Sequence, residues 1–246
     1  MKFRLGGFTE LSTVDWPGKL TTLVFFQGCN LRCPWCQNVS LIDPRRGKEV
    51  DTEEVLRHVG AHKPIVDSIV LTGGEPLLQP SACLEISKEA KKVGLICAIE
   101  TNGTASQALG SLLPYLDLVA IDVKAPLDDY HLYEEITGFT GLPKLEQKVR
   151  ESLKLAIHSK VDVEARTTII PGLNDDAETI ARIAEGVQGV DCLRLQQFRN
   201  QRTLDPNFQK LPSPSREKLL KLARVAKQKG IKNVKIFTVE GGLETV

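Results

Sequence analysis

The chain has 246 residues, 41% of them hydrophobic and 26% charged, with a formal net charge of +1. That balance excludes a disordered chain and leaves no global field to draw nucleic acid or a membrane surface. No run reaches the ~18 apolar residues of a membrane span. Met1-Lys2-Phe3-Arg4 lacks the apolar core of a signal peptide, so a cytoplasmic protein is expected.

Short apolar runs alternate with amphipathic stretches along the chain. The runs are Leu20 to Phe26, Ser68 to Leu71, Leu95 to Ile99, Leu116 to Val123, Val161 to Ile170 and Cys192 to Gln197. A seventh, Val234 to Val239, lies near the end. Apart from the short second run they are rich in β-branched and bulky apolar residues, the pattern of buried strands. Helical patterns fall between them. One starts at Asp51-Thr52-Glu53-Glu54, a second is Ser81 to Val93 with Gly94 as its stop, and Gln107 to Tyr115 is short. Leu142 to His158 and Asp175 to Gln188 are longer, and Pro214 to Lys229 is capped by Ser213 or Ser215 and ended by Gly230. The basic stretch Arg216 to Lys235 reads as the wet face of that last helix plus a turn.

Strict alternation predicts an α/β fold with a mostly parallel sheet and right-handed crossovers. Six units fit an open, partial (β/α)6 TIM-like barrel or a doubly wound sheet, and periodicity alone does not choose. No polar linker splits the chain, so residues 1–246 read as a single domain. Every unusual polar cluster follows or ends an apolar run: Gly28-Cys29, Thr72 to Pro76, Glu100 to Gly103, and Asp122 with Lys124. In parallel folds chemistry gathers at the carboxyl ends of strands, so these loops should converge on one rim.

Three of the six cysteines crowd into Cys29-Asn30-Leu31-Arg32-Cys33-Pro34-Trp35-Cys36, spaced C-x3-C-x2-C. Disulfides are rare in the cytosol, so these thiols point to metal or catalysis. Thiolates are the usual ligands of iron–sulfur clusters. Three on a compact loop can hold three irons of a cube and leave the fourth free for a substrate. Gly28 gives the backbone room and Pro34 stiffens the loop. A structural zinc site would want a fourth N or S ligand, and the nearest His in sequence is His58. Cys83, Cys97 and Cys192 read as small buried hydrophobes.

Together these motifs resemble the radical S-adenosylmethionine (SAM) superfamily. CNLRCPWC is similar to its cluster loop, and Thr72-Gly73-Gly74-Glu75-Pro76 to its second motif. Ser12 to Gly18, then Phe25-Phe26-Gln27-Gly28, the cysteines and Gln37-Asn38 resemble the start of a glycyl-radical-enzyme activating enzyme. Glu100-Thr101-Asn102-Gly103, Asp122-Val123-Lys124, Arg166 and Ile170 to Asp175 follow in that family's order, so the likeness covers nearly the whole chain. The nearest group is the activating protein of anaerobic ribonucleoside-triphosphate reductase, in its longer, pyruvate formate-lyase-activase-like form. Gln37 stands where many activases have His, and Trp16 interrupts an Asp-Gly-Pro-Gly pattern, which leaves the target enzyme open.

The resemblance implies a [4Fe–4S] cluster on the catalytic ligands Cys29, Cys33 and Cys36, with S-adenosyl-L-methionine chelating the open iron. Reductive cleavage would then yield methionine and a 5′-deoxyadenosyl radical. Gly73 and Gly74 would present bare backbone to the methionine end, and Glu75 would accept from its ammonium group. Thr101 and Asn102 would lie near the ribose or methionine, Lys124 would neutralise the carboxylate, and Arg166 would join the pocket. Plainer readings pair Lys124 with Asp122 or Glu100, and Arg166 with Glu164 or another strand-end acid. Glu100 with Asp122 would suit a small cation, and Gln197 and Phe198 would flank the adenine. The implied partners are a glycyl radical enzyme and an external electron donor such as flavodoxin or ferredoxin, with no nucleic acid and no membrane. Two other readings remain: a small-molecule enzyme like 7-carboxy-7-deazaguanine synthase, or an electron carrier or redox sensor. The last would explain the cysteines but not Glu75, Glu100 or Lys124.

Overall fold

The computed structural model describes residues 1–63, 65–138 and 140–246. The chain opens with two antiparallel strands, β1 (Lys2–Ser12) and β2 (Thr21–Phe26). The cysteine loop follows, and then β3 (Lys48–Asp51) pairs with the free side of β1. From there strands and helices alternate: α1 (Thr52–His62), β4 (Ser68–Gly73), α2 (Pro80–Lys92), β5 (Ile96–Thr101), α3 (Ser106–Leu112) and β6 (Leu118–Asp122). Two helices, α4 (Tyr130–Thr137) and α5 (Leu145–Ile157), precede β7 (Asp162–Ile169). Then come α6 (Ala177–Gly186), β8 (Cys192–Gln197), α7 (Arg216–Gln228), β9 (Val234–Thr238) and β10 (Gly242–Thr245).

The sheet runs β10-β9-β8-β7-β6-β5-β4-β2-β1-β3. All six expected strands are parallel neighbours, and the seventh apolar run becomes β9, which extends the parallel series by one. Only the ends are antiparallel, and β3 and β10 are free edges, so the barrel is open.

The two faces of the sheet decide between barrel and doubly wound forms. One face carries Val24, Phe26, Ile69, Leu71, Ile99, Val119, Ile121, Val163, Leu193, Leu195 and Ile236, all in one large core with the helices. The helices pack beside one another in chain order, as α1 on α2, α2 on α3, α3 on α5 and α6 on α7. The other face bears a small apolar floor of Leu23, Val70 and Ala98, with Trp16, Phe25 and Leu118 against it. A sheet with helices on one face and its other face turned inward is a partial barrel, not a doubly wound sheet.

The helix signals hold at the sequence level. Ser215, not Ser213, caps α7 by accepting from the Lys218 N–H, and Asp129 and Asp176 cap α4 and α6 in the same way. The strands β1, β3 and β10 and the helix α4 have no apolar run to announce them. They sit at or next to the sheet edges or in a crossover, where half-buried polar sequence suffices.

Candidate active site

The carboxyl ends of the parallel strands surround a cavity of about 450 Å³. Cys29, Cys33, Cys36, Gly73, Gly74, Glu100, Thr101, Asn102, Lys124 and Arg166 all line it. Strand alternation explains the convergence: residues two apart face the same side, so Thr72, Glu100, Asp122, Arg166 and Arg194 continue the inward face beyond its apolar floor.

The cysteine loop leaves β2 and is held by backbone bonds. The N–H groups of Gly28 and Cys29 donate to the carbonyls of Leu41 (2.8 Å) and Ile42 (3.1 Å), and Arg32 N–H donates to Thr137 (3.1 Å). Cys36 N–H closes a turn onto the Cys33 carbonyl at 3.0 Å. The indole of Trp35 donates to the Ile136 carbonyl at 2.8 Å. Gly138 is needed here, since a Cβ there would collide with the Arg32 carbonyl. Burial pushes all three thiols up, that of Cys33 to about 12, while nearby Lys124 pulls in the other direction. A buried thiol trio of this kind is a poor free nucleophile and a good metal trap, because a metal ion takes over the thiolate charge.

The second motif has two jobs. Gly73 and Gly74 line the cavity with bare backbone, and a Cβ on either would run into the backbone of Phe26 or Gly28. The glycines therefore also let the end of β4 lie directly against the end of β2. Glu75, expected to accept from the ligand's ammonium group, is instead seen bonded within the scaffold. It is 0% exposed and faces away from the cavity lining. Its carboxylate accepts from Leu77 N–H (3.0 Å), Thr101 Oγ1 (2.8 Å) and Asn102 N–H (2.7 Å). Those three bonds brace the loop after β4 to the loop after β5. Asn102 passes the brace on, donating from Nδ2 to Asn30 Oδ1 at 2.8 Å in the cysteine loop.

Lys124 is 6% exposed, with its ammonium 2.8 Å from Asp122. Burial alone would lower its pKa, but the charge and hydrogen bond of Asp122 turn the net shift upward, so it stays charged. Arg166 is also buried, and its three nitrogens are taken: Nη1 by Glu100, Nε by Glu164 and Nη2 by the Asp15 carbonyl. Glu164 also binds Arg194 at 3.0 Å, and Thr72 donates to Glu100 at 2.8 Å. The plainer pairings of Lys124 and Arg166 thus exist, and both residues still line the cavity. Gln197 reaches the lining, but Phe198 is 0% exposed and packs in the core, so it cannot flank a ligand.

Sequence reasoning missed Arg194, Gln196, Arg199 and Phe237 in the lining. The period-2 pattern of Cys192-Leu193-Arg194-Leu195-Gln196 was the available signal: it puts Arg194 and Gln196 on the inward face.

Thiolate donors on one loop, glycine backbone opposite and a buried cation beside them fit a three-cysteine iron–sulfur cluster carrying an amino-acid ligand. Among the described residues no histidine and no fourth cysteine lines the cavity, so a four-ligand structural zinc site does not fit. Residues 23–184 match the family model of the radical SAM superfamily. The chain belongs to that superfamily. A Methanocaldococcus jannaschii protein provisionally named a glycyl-radical enzyme activating enzyme is 36% identical over 247 residues, covering 99% of this chain and all of its own. The pyruvate formate-lyase-activating enzyme of Clostridium pasteurianum is 35% identical, over 76% of this chain and 77% of its own. Among solved structures, QueE from Escherichia coli superimposes with a TM-score of 0.60 at 14% identity, covering 97% of this chain and 95% of its own. The last likeness speaks for the fold alone. The first two place this radical SAM enzyme among the glycyl-radical enzyme activating enzymes, and its cofactors are a [4Fe–4S] cluster and S-adenosyl-L-methionine.

Proposed function

We propose that the enzyme abstracts a hydrogen atom from a glycine of a partner protein, an anaerobic ribonucleoside-triphosphate reductase. One observation carries the catalytic half of this reading: Cys29, Cys33, Cys36, the Gly73-Gly74 backbone and Lys124 face one another across a single cavity in an open barrel. When bound, the cluster and S-adenosylmethionine supply one electron and a carbon radical able to take that hydrogen.

The chain's own residues have positional roles. Cys29, Cys33 and Cys36 hold the cluster. Lys124, fixed by Asp122, neutralises the methionine carboxylate, and the glycine pair admits the amino end against bare backbone. Glu100 and Arg166 fix the far wall through their mutual ion pair. Thr101 and Asn102 close the near side, held by Glu75 and Asn30.

The partner half draws on the named relatives and on the rim. Val14, half exposed, and the exposed Gln37 and Asn38 border the cavity where a glycine-bearing loop would enter. An external donor such as flavodoxin or ferredoxin would supply the electron, in the cytoplasm. No described helix is long and apolar enough to cross a membrane.

The test supplies reduced, cluster-loaded protein with S-adenosylmethionine and either the reductase or 6-carboxytetrahydropterin, the small substrate of the deazaguanine reading. A glycyl radical signal in electron paramagnetic resonance with the reductase alone is the expected result. Turnover of the pterin without a protein radical would overturn it.

A further inference from the structure

Outside the cavity, α1 and β1 bring together two imidazoles and a carboxylate. His58 and His62 are one turn apart on α1, so they share a face. β1 packs against α1 and supplies Glu10. One ligand atom from each of the three lies within 4.8 Å of the others.

Three details distinguish this cluster from a chance grouping of surface polar residues. The Nδ1 of His62 sits 2.9 Å from the His58 carbonyl, which can only accept, so Nδ1 carries the hydrogen and, in the neutral ring, Nε2 has the lone pair. A metal-binding histidine is typically fixed in this way, with its other nitrogen donating to a backbone carbonyl. That Nε2 is 3.8 Å from Glu10 Oε2, too long for a hydrogen bond. Meanwhile the Nε2 of His58 is buried and has no partner among the described residues. A buried polar atom left alone is costly, and native structures seldom keep one without a reason. Phe8 stacks on the His58 ring at 4.3 Å and 23°, which sets the plane of that imidazole.

We propose that Glu10, His58 and His62 form a binding site for a divalent transition-metal ion of the zinc class, with water completing its shell. Two imidazoles and one carboxylate suit such an ion, whereas Mg²⁺ and Ca²⁺ take oxygen donors. Metal–ligand bonds of about 2.0–2.2 Å require the three groups to draw together. The side chains of His62 and Glu10 are 28% and 66% exposed and have room to do so. The bound ion staples β1 to α1. β1 leads into the loop carrying Asp15, which lines the cavity and whose carbonyl receives Arg166 at 3.3 Å. The staple therefore steadies the strand that carries one cavity wall, and it takes no part in the chemistry there.

The test uses untagged, cluster-loaded protein under anaerobic conditions, so that iron already occupies the cavity thiols, with Zn²⁺ as the probe. One equivalent of zinc should survive gel filtration, and its X-ray absorption fine structure should show nitrogen and oxygen neighbours without sulfur. Zinc at a hundredfold excess over its Kd should raise Tm by about 5–10 °C. His62→Gln should abolish retention and the Tm shift, His58→Gln should do the same, and Glu10→Gln should weaken both. Iron and sulfide content and S-adenosylmethionine cleavage should be unchanged in His62→Gln, so this inference and the proposed function fail separately. No retained zinc, sulfur in the zinc shell, or retention undiminished in both histidine variants would overturn it.

Discussion

The ammonium nitrogen of Lys124 lies 5.0 Å from the centroid of the Trp35 ring. Trp35 stands between Cys33 and Cys36, so the aromatic face that steadies the cation belongs to the cysteine loop itself. Asp122 holds the same cation from β6 at 2.8 Å. The charge is thereby fixed beside the thiols, at a point where free water has little access.

Lys124→Ala should weaken S-adenosylmethionine binding by roughly ten- to a hundredfold, the equivalent of losing one charge-assisted contact worth about 1.5–3 kcal/mol. Iron and sulfide content should be retained. Equilibrium binding to reconstituted protein measures the first, and chemical analysis the second. Unchanged affinity would remove Lys124 from the pocket.

Cys29→Ala, Cys33→Ala and Cys36→Ala should each abolish a stable [4Fe–4S] cluster, while alanine at Cys83, Cys97 or Cys192 should leave it intact. Cys83 and Cys97 are fully buried, and none of the three lines the cavity. Because burial raises the three cavity thiols, that of Cys33 to about 12, they are protonated in the metal-free protein at neutral pH. Cluster insertion must then expel protons, and its yield should rise with pH. Proton release in weakly buffered reconstitution mixtures measures this directly.

Glu75 gives the metal-free protein a pH-dependent stability. Burial lifts its pKa to about 7, against the lowering effect of hydrogen bonds from Asn102, Thr101 and Leu77. The folded state therefore favours the protonated form. That contribution is fully present below the unfolded value of about 4.3 and is lost as pH rises through about 7. Wild-type protein should be about 2 kcal/mol less stable at pH ~7.5 than at pH ~5.5 from this group alone. Urea denaturation at both values should show that slope in the wild type and its loss in Glu75→Gln.

Glu164 lies between Arg166 and Arg194, with all three side chains at most 7% exposed. Removing it leaves two buried guanidinium groups facing each other, and Arg194 Nε already lacks a partner among the described residues. Glu164→Ala should cost about 3–5 kcal/mol of stability. By contrast Glu217→Ala, which breaks an exposed i,i+4 pair with Lys221 on α7, should leave the denaturation midpoint unchanged. Equal effects of the two would mean the inward ion network is solvated.

Much of the site was legible in the residues. Cys29, Cys33 and Cys36 are close in sequence, so a short loop must bring them together whatever surrounds it. Gly73, Glu100 and Lys124 each follow or end an apolar run, and parallel strands align their carboxyl ends by hydrogen-bond register, as in the pairing of Ile99 with Val119 and of Asp122 with Arg166. The parallel sheet and its rim therefore followed from pattern and from the right-handed crossover, while the choice of barrel waited on the faces of the sheet.

Other features were decided only by the tertiary structure. Glu75 sits beside glycines that line the cavity, yet a bend in the chain there turns it away from the cavity to the N–H of Asn102, a residue of the loop after β5. One-dimensional pattern cannot say whether a carboxylate at a loop meets a ligand or a backbone donor, because that depends on where a second loop lies. The same holds for Phe198, one residue past the cavity-lining Gln197 and buried in the core. It holds again for His58, whose neighbour Glu10 is distant in sequence and adjacent only because β1 packs on α1. Local chemistry and periodicity determined the cysteine trap, the parallel sheet and the rim. The packing of separate segments decided which polar side chains hold the scaffold and which remain to meet a ligand.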